Sequence, residues 1–180
     1  MRYDPEKHHR RSIRLRGYDY TKTGAYFVTL VAQDRECLFG EVRNGEMHLS
    51  PAGRMIVRTW CEIPQHYPCV RTESFVLMPN HLHGVIILRP DDSDNPLSLG
   101  NVIQRFKTLT TRRYIDGVYN EGWEPFNKRL WQRNYYERII RNEAEWHAIR
   151  QYIANNPYRW DADPENPINA DKTDATNPNP

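Results

Sequence analysis

The chain has 180 residues, 38% hydrophobic and 27% charged, with a net charge of only +2. That is room for one compact domain with its own core, and no overall charge excess that would by itself point to nucleic acid. No window approaches the roughly 20 apolar residues of a membrane span, and the N-terminal "MRYDPEKHHRRSIRLRG" lacks the apolar centre of a secretory signal. Cys37, Cys61 and Cys69 are odd in number and without C-x-x-C spacing. They read as reduced thiols of a cytoplasmic protein, neither a disulfide framework nor a zinc knuckle.

In chain order, "KHHRRSIRLR" (7–16) concentrates basic charge ahead of any periodic segment, as a solvated or phosphate-contacting arm would. "GAYFVTLVAQ" (24–33) alternates and is rich in β-branched and aromatic residues, which predicts a strand. Asn44-Gly45, between two short alternating runs over 38–50, predicts a type I′ hairpin. Ser50 reads as an N-cap and Pro51 as the first helical residue. Met55, Ile56, Trp60 and Ile63 then recur at helical spacing, so 51–66 is expected to be amphipathic. A strand over 69–78, a turn at Pro79-Asn80 and an antiparallel return over 81–89 follow, then a breaker-rich loop over 90–96.

Ser98 can cap a second helix to about Tyr114, with Leu99, Val102, Ile103, Phe106 and Leu109 on one face and Arg105, Lys107, Arg112 and Arg113 on the other. Residues 128–140 are partly strand. Asn142 caps a third helix to about Asn156, with Glu143 and Glu145 in its first turn, where carboxylates favour the helix dipole. The Pro-, Asn- and Asp-rich end, 161–180, lacks apolar content and is expected to be a disordered tail. Helices alternating with a mostly antiparallel sheet argue an α+β, ferredoxin-like layer fold.

The stretch "FVLMPNHLHGVIIL" (75–88) is apolar at nearly every position, yet holds His81 and His83. At strand period they share one face, with Cα atoms about 7 Å apart, while Leu82 points to the opposite layer. Two imidazoles held so can aim at one divalent ion. A bare H-x-H is also the ordinary signature of two hydrogen-bonded, half-buried histidines. The third helix adds Tyr152 and Asn156 at i and i+4, about 40° apart around the axis and one turn along it. Asn156 offers a carbonyl oxygen to a metal, and Tyr152 a phenol that attacks phosphorus once its proton is removed. Outside this constellation, Tyr152 is one of 11 tyrosines and reads as packing.

The strand "MPNHLHG", followed by "WQRNYYERIIRN" and "YIANNP", resembles the HUH-type single-tyrosine transposases, and among them the REP-associated tyrosine transposases. The resemblance covers about residues 10–160. It implies the HUH endonuclease fold over a domain at 18–160, preceded by a basic arm at 1–17. It also implies a divalent metal, Mg²⁺ or Mn²⁺, on His81, His83 and Asn156, with Tyr152 as the nucleophile. Many related transposases carry Gln where this chain has Asn156, so the third helix would have to lie closer to the metal. The implied activity is cleavage and transfer of single-stranded DNA through a 5′-phosphotyrosyl intermediate, beside a short palindrome folded as a hairpin.

DNA binding needs positive charge and stacking surfaces. Arg10, Arg11, Arg14 and Arg16 of the arm, Lys107, Arg112 and Arg113 of the second helix, and Arg133, Arg138 and Arg141 nearer the third are the candidate phosphate contacts. Tyr136 is a candidate stacking platform and a rival nucleophile. The sequence leaves open a monomer or a homodimer, and an active site formed in cis or in trans. Three other readings fit parts of the pattern: a non-catalytic module that binds single-stranded nucleic-acid hairpins, a relaxase-like nuclease, and a hydrolase with a water nucleophile. Relaxases typically place the tyrosine ahead of the histidines, the reverse of the order here. The hydrolase needs a carboxylate beside the histidines, and none is evident in the sequence.

Overall fold

The structure, a computed structural model, describes residues 19–90 and 96–172. The expected arm, with Arg10, Arg11, Arg14 and Arg16, and the last residues of the expected tail lie outside them.

Six strands and three helices follow in the expected order: β1 (Gly24–Val31), β2 (Gly40–Arg43), β3 (Glu46–Leu49), α1 (Pro51–His66), β4 (Val70–Leu77), β5 (His81–Leu88), α2 (Leu99–Glu121), β6 (Tyr136–Ile140) and α3 (Glu143–Asn155). Local chemistry sets the boundaries. Asn44 and Gly45 both take positive φ (52° and 77°), as a type I′ turn between β2 and β3 requires. The Ser50 hydroxyl accepts from the Gly53 N–H at 3.0 Å to start α1, and Asn142 Oδ1 accepts from the Glu145 N–H at 2.9 Å to start α3.

Four strands form one antiparallel sheet in the order β4-β5-β1-β6, and β2 and β3 form a separate hairpin. With the hairpin set aside, β1-α1-β4-β5-α2-β6 is the βαββαβ unit of a ferredoxin-like fold. Register assigns the faces. Thr29 stands opposite His83, Leu30 opposite Leu82 and Val31 opposite His81. Tyr26, Val28, Leu30, Leu82 and Ile86 therefore enter the main core beneath α1 and α2, where Trp60 meets Phe106 edge-on at 5.4 Å. Val85 faces the other way and packs with Ile149 and Ile153 of α3, bordered by Phe27, Val76 and Trp146. The histidines thus lie on the α3 face, and the sheet separates them from the main core.

Two boundaries differ from expectation. The second helix runs to Glu121 instead of stopping near Tyr114. Gly117 continues it because the Trp123 ring lies where a side chain would sit, 2.4 Å from a built Cβ, and Gly122 closes it with φ 69°. Residues 157–162 and 167–172 form 3₁₀ turns within the segment expected to be disordered from 161. Polar side chains there cap the backbone instead of facing solvent: Asn166 Nδ2 donates to the Trp160 carbonyl at 2.9 Å, and Asn169 Nδ2 to the Asp161 carbonyl at 2.8 Å. Asp163 and Asn166 are buried.

Candidate active site

The site is built where β5, α3 and the 157–165 segment meet. His81 and His83 lie one β-period apart on β5, with ring centroids 4.5 Å apart. Gly84, on the opposite face, leaves room for Trp60, whose ring would stand 2.5 Å from a Cβ there. Both imidazoles are buried, which pushes His81 down to about 3 and His83 well below the ordinary histidine value. Both are therefore neutral at physiological pH and have ring nitrogens to offer.

The hydrogen bonds on the far nitrogens fix which ones. Asn80 is fully buried, and its Nδ2 donates to the Arg35 carbonyl at 2.9 Å and the Glu165 carbonyl at 2.7 Å. Its amide orientation is set by those two acceptors, so Oδ1 accepts from His81 Nδ1–H at 2.9 Å. The lone pair of His81 is then on Nε2. His83 Nδ1 shares a 2.8 Å hydrogen bond with the Thr29 hydroxyl, and Phe27 stacks on its ring at 5.4 Å.

From α3, the Tyr152 hydroxyl reaches to 3.2 Å of His83 Nε2 in the same chain. Its pKa is pushed up to about 12, first by burial and then by the Asp163 carboxylate. One turn on, Asn156 is buried beside Asp163, with 3.4 Å between Nδ2 and Oδ2. Asp163 Oδ2 is also 3.8 Å from His81 Nε2, and burial raises the Asp163 pKa.

Two buried polar atoms here have no hydrogen-bond partner, His81 Nε2 and Asn156 Oδ1. Such atoms are costly unless something completes them. The ligand atoms of His81, His83 and Asp163 all lie within 4.8 Å of one another. Two neutral imidazoles, an amide oxygen and a carboxylate are a donor set that fits a divalent cation.

The structure thus brings together His81, His83, Tyr152 and Asn156. It adds Asp163, which supplies the carboxylate that sequence reasoning did not find beside the histidines. Asp163 sits in a Pro- and Asp-rich stretch with no periodic signal. Asn80 and Thr29 were also missed. A polar side chain inside an apolar run, next to the first histidine, was the available signal for Asn80.

The expected phosphate contacts are less uniform. Lys107 is turned inward, donating to the Gln132 and Asn134 carbonyls at 2.9 and 3.0 Å, and burial pushes its pKa down to about 8. Arg113 is engaged by Glu62 at 2.6 Å, and Arg138 lies 3.8 Å from Glu145. Arg112 and Arg133 line a cavity on the α2 side. Tyr136 is 52% exposed on the outer strand β6, opposite Thr29 and therefore on the His83 face.

The family described as IS200-like transposases matches residues 26–156, a span that contains both histidines, Tyr152 and Asn156. The chain belongs to this family. An uncharacterised protein of Haemophilus influenzae is 38% identical over 182 residues, covering 90% of this chain and 96% of the relative. A second H. influenzae protein, provisionally named a REP-associated tyrosine transposase, is 28% identical over 144 residues, covering 78% of this chain and 74% of the relative. A solved REP-associated tyrosine transposase bound to a REP hairpin aligns with a TM-score of 0.57 at 21% identity, covering 82% of this chain and 74% of that one. The resemblance to REP-associated transposases read from the motifs is therefore met by family, relative and fold, and the α+β HUH architecture by the solved structure. Among the described residues no helix is long and apolar enough to cross a membrane.

Proposed function

We propose that this IS200-like transposase cuts and rejoins single-stranded DNA beside a hairpin, through a covalent bond to Tyr152. The observation that carries this reading is the 3.2 Å approach of the Tyr152 hydroxyl to His83, beside two unpartnered buried ligand atoms. Tyr152 Oη attacks phosphorus, the bond from phosphorus to the 3′-oxygen breaks, and the 3′-oxygen leaves as a hydroxyl. The 5′-phosphate remains on Tyr152. The bond energy is retained, so a 3′-hydroxyl from another end can reverse the step and join DNA without a nucleotide cofactor.

His81, His83 and Asn156 are the residues that would hold a divalent cation, Mg²⁺ or Mn²⁺, with Asp163 beside them. When bound, it would supply Lewis-acid polarisation and orientation of the scissile phosphate. The chain's own residues do the rest. Asn80 and Thr29 aim the imidazoles. Phe27, edge-on to Tyr152 at 5.9 Å, holds the phenol ring in place. In the cation-free site His83 Nε2 accepts the phenolic hydrogen bond; a cation on that nitrogen would take its lone pair, so the phenolic proton would be lost to solvent. Docking of α3 through Ile149 and Ile153 sets the distance between nucleophile and imidazoles. A hairpin as substrate is supported by the REP hairpin bound to the solved relative. Because one chain completes the constellation, a monomer suffices for cleavage.

The test is incubation of the protein with Mn²⁺ or Mg²⁺ and a labelled single strand carrying a hairpin. A band shift that survives denaturation, absent in Tyr152→Phe, is the expected result. Hairpin binding with no adduct under either cation would replace this reading with that of a non-catalytic hairpin-binding module.

A further inference from the structure

The two imidazoles differ in what holds Nδ1. His81 Nδ1 meets the Asn80 carbonyl oxygen, which can only accept, so the proton sits on Nδ1. His83 lies between two hydroxyls, with Thr29 Oγ1 at 2.8 Å from Nδ1 and Tyr152 Oη at 3.2 Å from Nε2. A hydroxyl can donate or accept, so this chain of three groups can run in two directions. In one, Tyr152 donates to Nε2 and Nδ1–H donates to Thr29. In the other, Thr29 donates to Nδ1 and Nε2–H donates to Tyr152, which leaves no lone pair on Nε2 for a cation.

Acidity sets the direction. A phenol is a much stronger acid than an aliphatic hydroxyl, even with the Tyr152 pKa pushed up to about 12, and so is the better donor. Its oxygen shares a lone pair with the ring and is the poorer acceptor. The chain therefore runs from Tyr152 through His83 to Thr29. The fold keeps it aligned. Thr29 is buried in β1, directly opposite His83 in the register, and Phe27, two residues earlier on the same face, stacks on the imidazole at 5.4 Å. We propose that Thr29 is a positioning residue of the candidate active site: by accepting from His83 Nδ1–H it keeps the lone pair on Nε2, for which the Tyr152 hydroxyl and a divalent cation compete.

Removing the Thr29 hydroxyl would leave His83 Nδ1–H buried without its acceptor, a costly state. Moving the ring proton to Nε2, where it can donate to the Tyr152 oxygen, relieves that cost and takes the cation-binding lone pair away. The Tyr152–His83 hydrogen bond is made only while Nε2 holds no cation, so it counts against cation binding. Thr29 thus supports the cation and Tyr152 opposes it, although both are hydroxyls hydrogen-bonded to one ring.

This inference rests on the DNA-cutting reading for the roles of Tyr152 and the cation, but its test uses no DNA, so the two fail separately. Full-length protein is titrated with Mn²⁺ by calorimetry, and the His83 ring is observed by ¹⁵N NMR without cation. The wild type is expected to show protonated Nδ1 and unprotonated Nε2. Thr29→Val, which keeps the shape of the side chain, is expected to weaken Mn²⁺ binding by about 10–100-fold and to move the His83 proton to Nε2. Thr29→Ser should restore both. Tyr152→Phe should strengthen Mn²⁺ binding by about two- to tenfold, the weight of one hydrogen bond. Unchanged affinity and tautomer in Thr29→Val, or an equal loss in Thr29→Ser, would overturn the role of Thr29. A proton on His83 Nε2 in the wild type would overturn it whether or not Thr29→Val folds. Weaker Mn²⁺ binding in Tyr152→Phe would make the phenol a ligand and overturn the competition. Absence of a covalent adduct on a hairpin strand, with these results intact, would overturn the DNA-cutting reading alone.

Discussion

Tyr152 and His83 face each other across the junction of α3 and β5 in one chain, phenol oxygen 3.2 Å from Nε2 and ring centroids 5.1 Å apart. The sheet register places His83 on the α3 side, and the Ile149–Ile153 stripe places α3 over Val85, two residues further along the same strand. Phenol and imidazole are therefore held by two rigid elements packed against each other. No loop and no second chain is needed to close the distance.

Tyr152→Phe should abolish the covalent adduct while leaving hairpin affinity within about twofold and stability within about 1 kcal/mol, since the lost hydroxyl makes one hydrogen bond at a partly exposed site. Tyr136→Phe should form the adduct normally. Tyr136 sits on β6 beyond β1, opposite Thr29, and so is two strands from His83. Denaturing gels of both variants against one labelled strand check this, and an adduct in Tyr152→Phe would exclude Tyr152 as nucleophile.

Adduct formation should accelerate with pH. The Tyr152 phenol is pushed up to about 12, so it is almost wholly protonated near neutrality, and the attacking phenolate is the minor form. Where its concentration limits the rate, each pH unit gives about a tenfold increase until the pKa of the metal-loaded site is reached. Single-turnover rates at constant ionic strength would show this slope, and a flat profile would place the limiting step elsewhere.

Metal-free protein should lose stability in mild acid. His81 and His83 have folded pKa values far below the ordinary histidine value of about 6.5, so the unfolded chain binds protons that the folded one refuses. Their stabilising effect is present above about pH 6.5 and is lost as pH falls from there through their folded values, about 3 for His81 and well below the ordinary value for His83, at roughly 1.4 kcal/mol per pH unit for each group. Urea unfolding across that window should show the loss, and His81→Asn should roughly halve its slope.

Much of the fold was legible because each element carried a local signature: alternation in β1, the Asn44-Gly45 turn, and caps at Ser50, Ser98 and Asn142. The geometry of the candidate site was legible only in part. Period 2 put His81 and His83 on one face, and i,i+4 spacing put Tyr152 and Asn156 together. Asp163 could not be read, because its position depends on the 3₁₀ turn after α3 and on hydrogen bonds to Asn156 and Glu165 that no periodicity announces. The end of α2 was misplaced because nothing local marks its continuation through Gly117, whose missing side chain leaves the space the Trp123 ring occupies.

Asp163→Asn should weaken Mn²⁺ binding, measured by calorimetry, by at least about tenfold. It keeps the size of the side chain but removes the negative charge nearest His81 Nε2. Cation binding should also strengthen as pH rises, because the raised Asp163 carboxyl must lose its proton before it can contribute charge. Unchanged affinity would leave Asp163 only the task of holding Asn156.

Asn80→Ala tests how much of the site depends on tautomer control. The substitution leaves the Arg35 and Glu165 carbonyls without their amide donor and frees His81 Nδ1 from its acceptor. Each unsatisfied buried group costs about 1–3 kcal/mol, so a clear fall in unfolding free energy is expected. Stability alone does not separate architecture from chemistry. The informative readout is the His81 ring itself: ¹⁵N chemical shifts in the wild type should report protonated Nδ1 and unprotonated Nε2, and in Asn80→Ala a mixture of tautomers. Mn²⁺ affinity should fall by about 10–100-fold, as when an outer hydrogen bond to a ligating histidine is removed. Asn80→Asp makes the contrast sharper. It keeps an acceptor for Nδ1–H but cannot donate to either carbonyl, so it should retain the wild-type tautomer while losing much of the stability. If Asn80→Asp and Asn80→Ala lose Mn²⁺ affinity equally, the amide acts on the 157–165 segment and not on the imidazole.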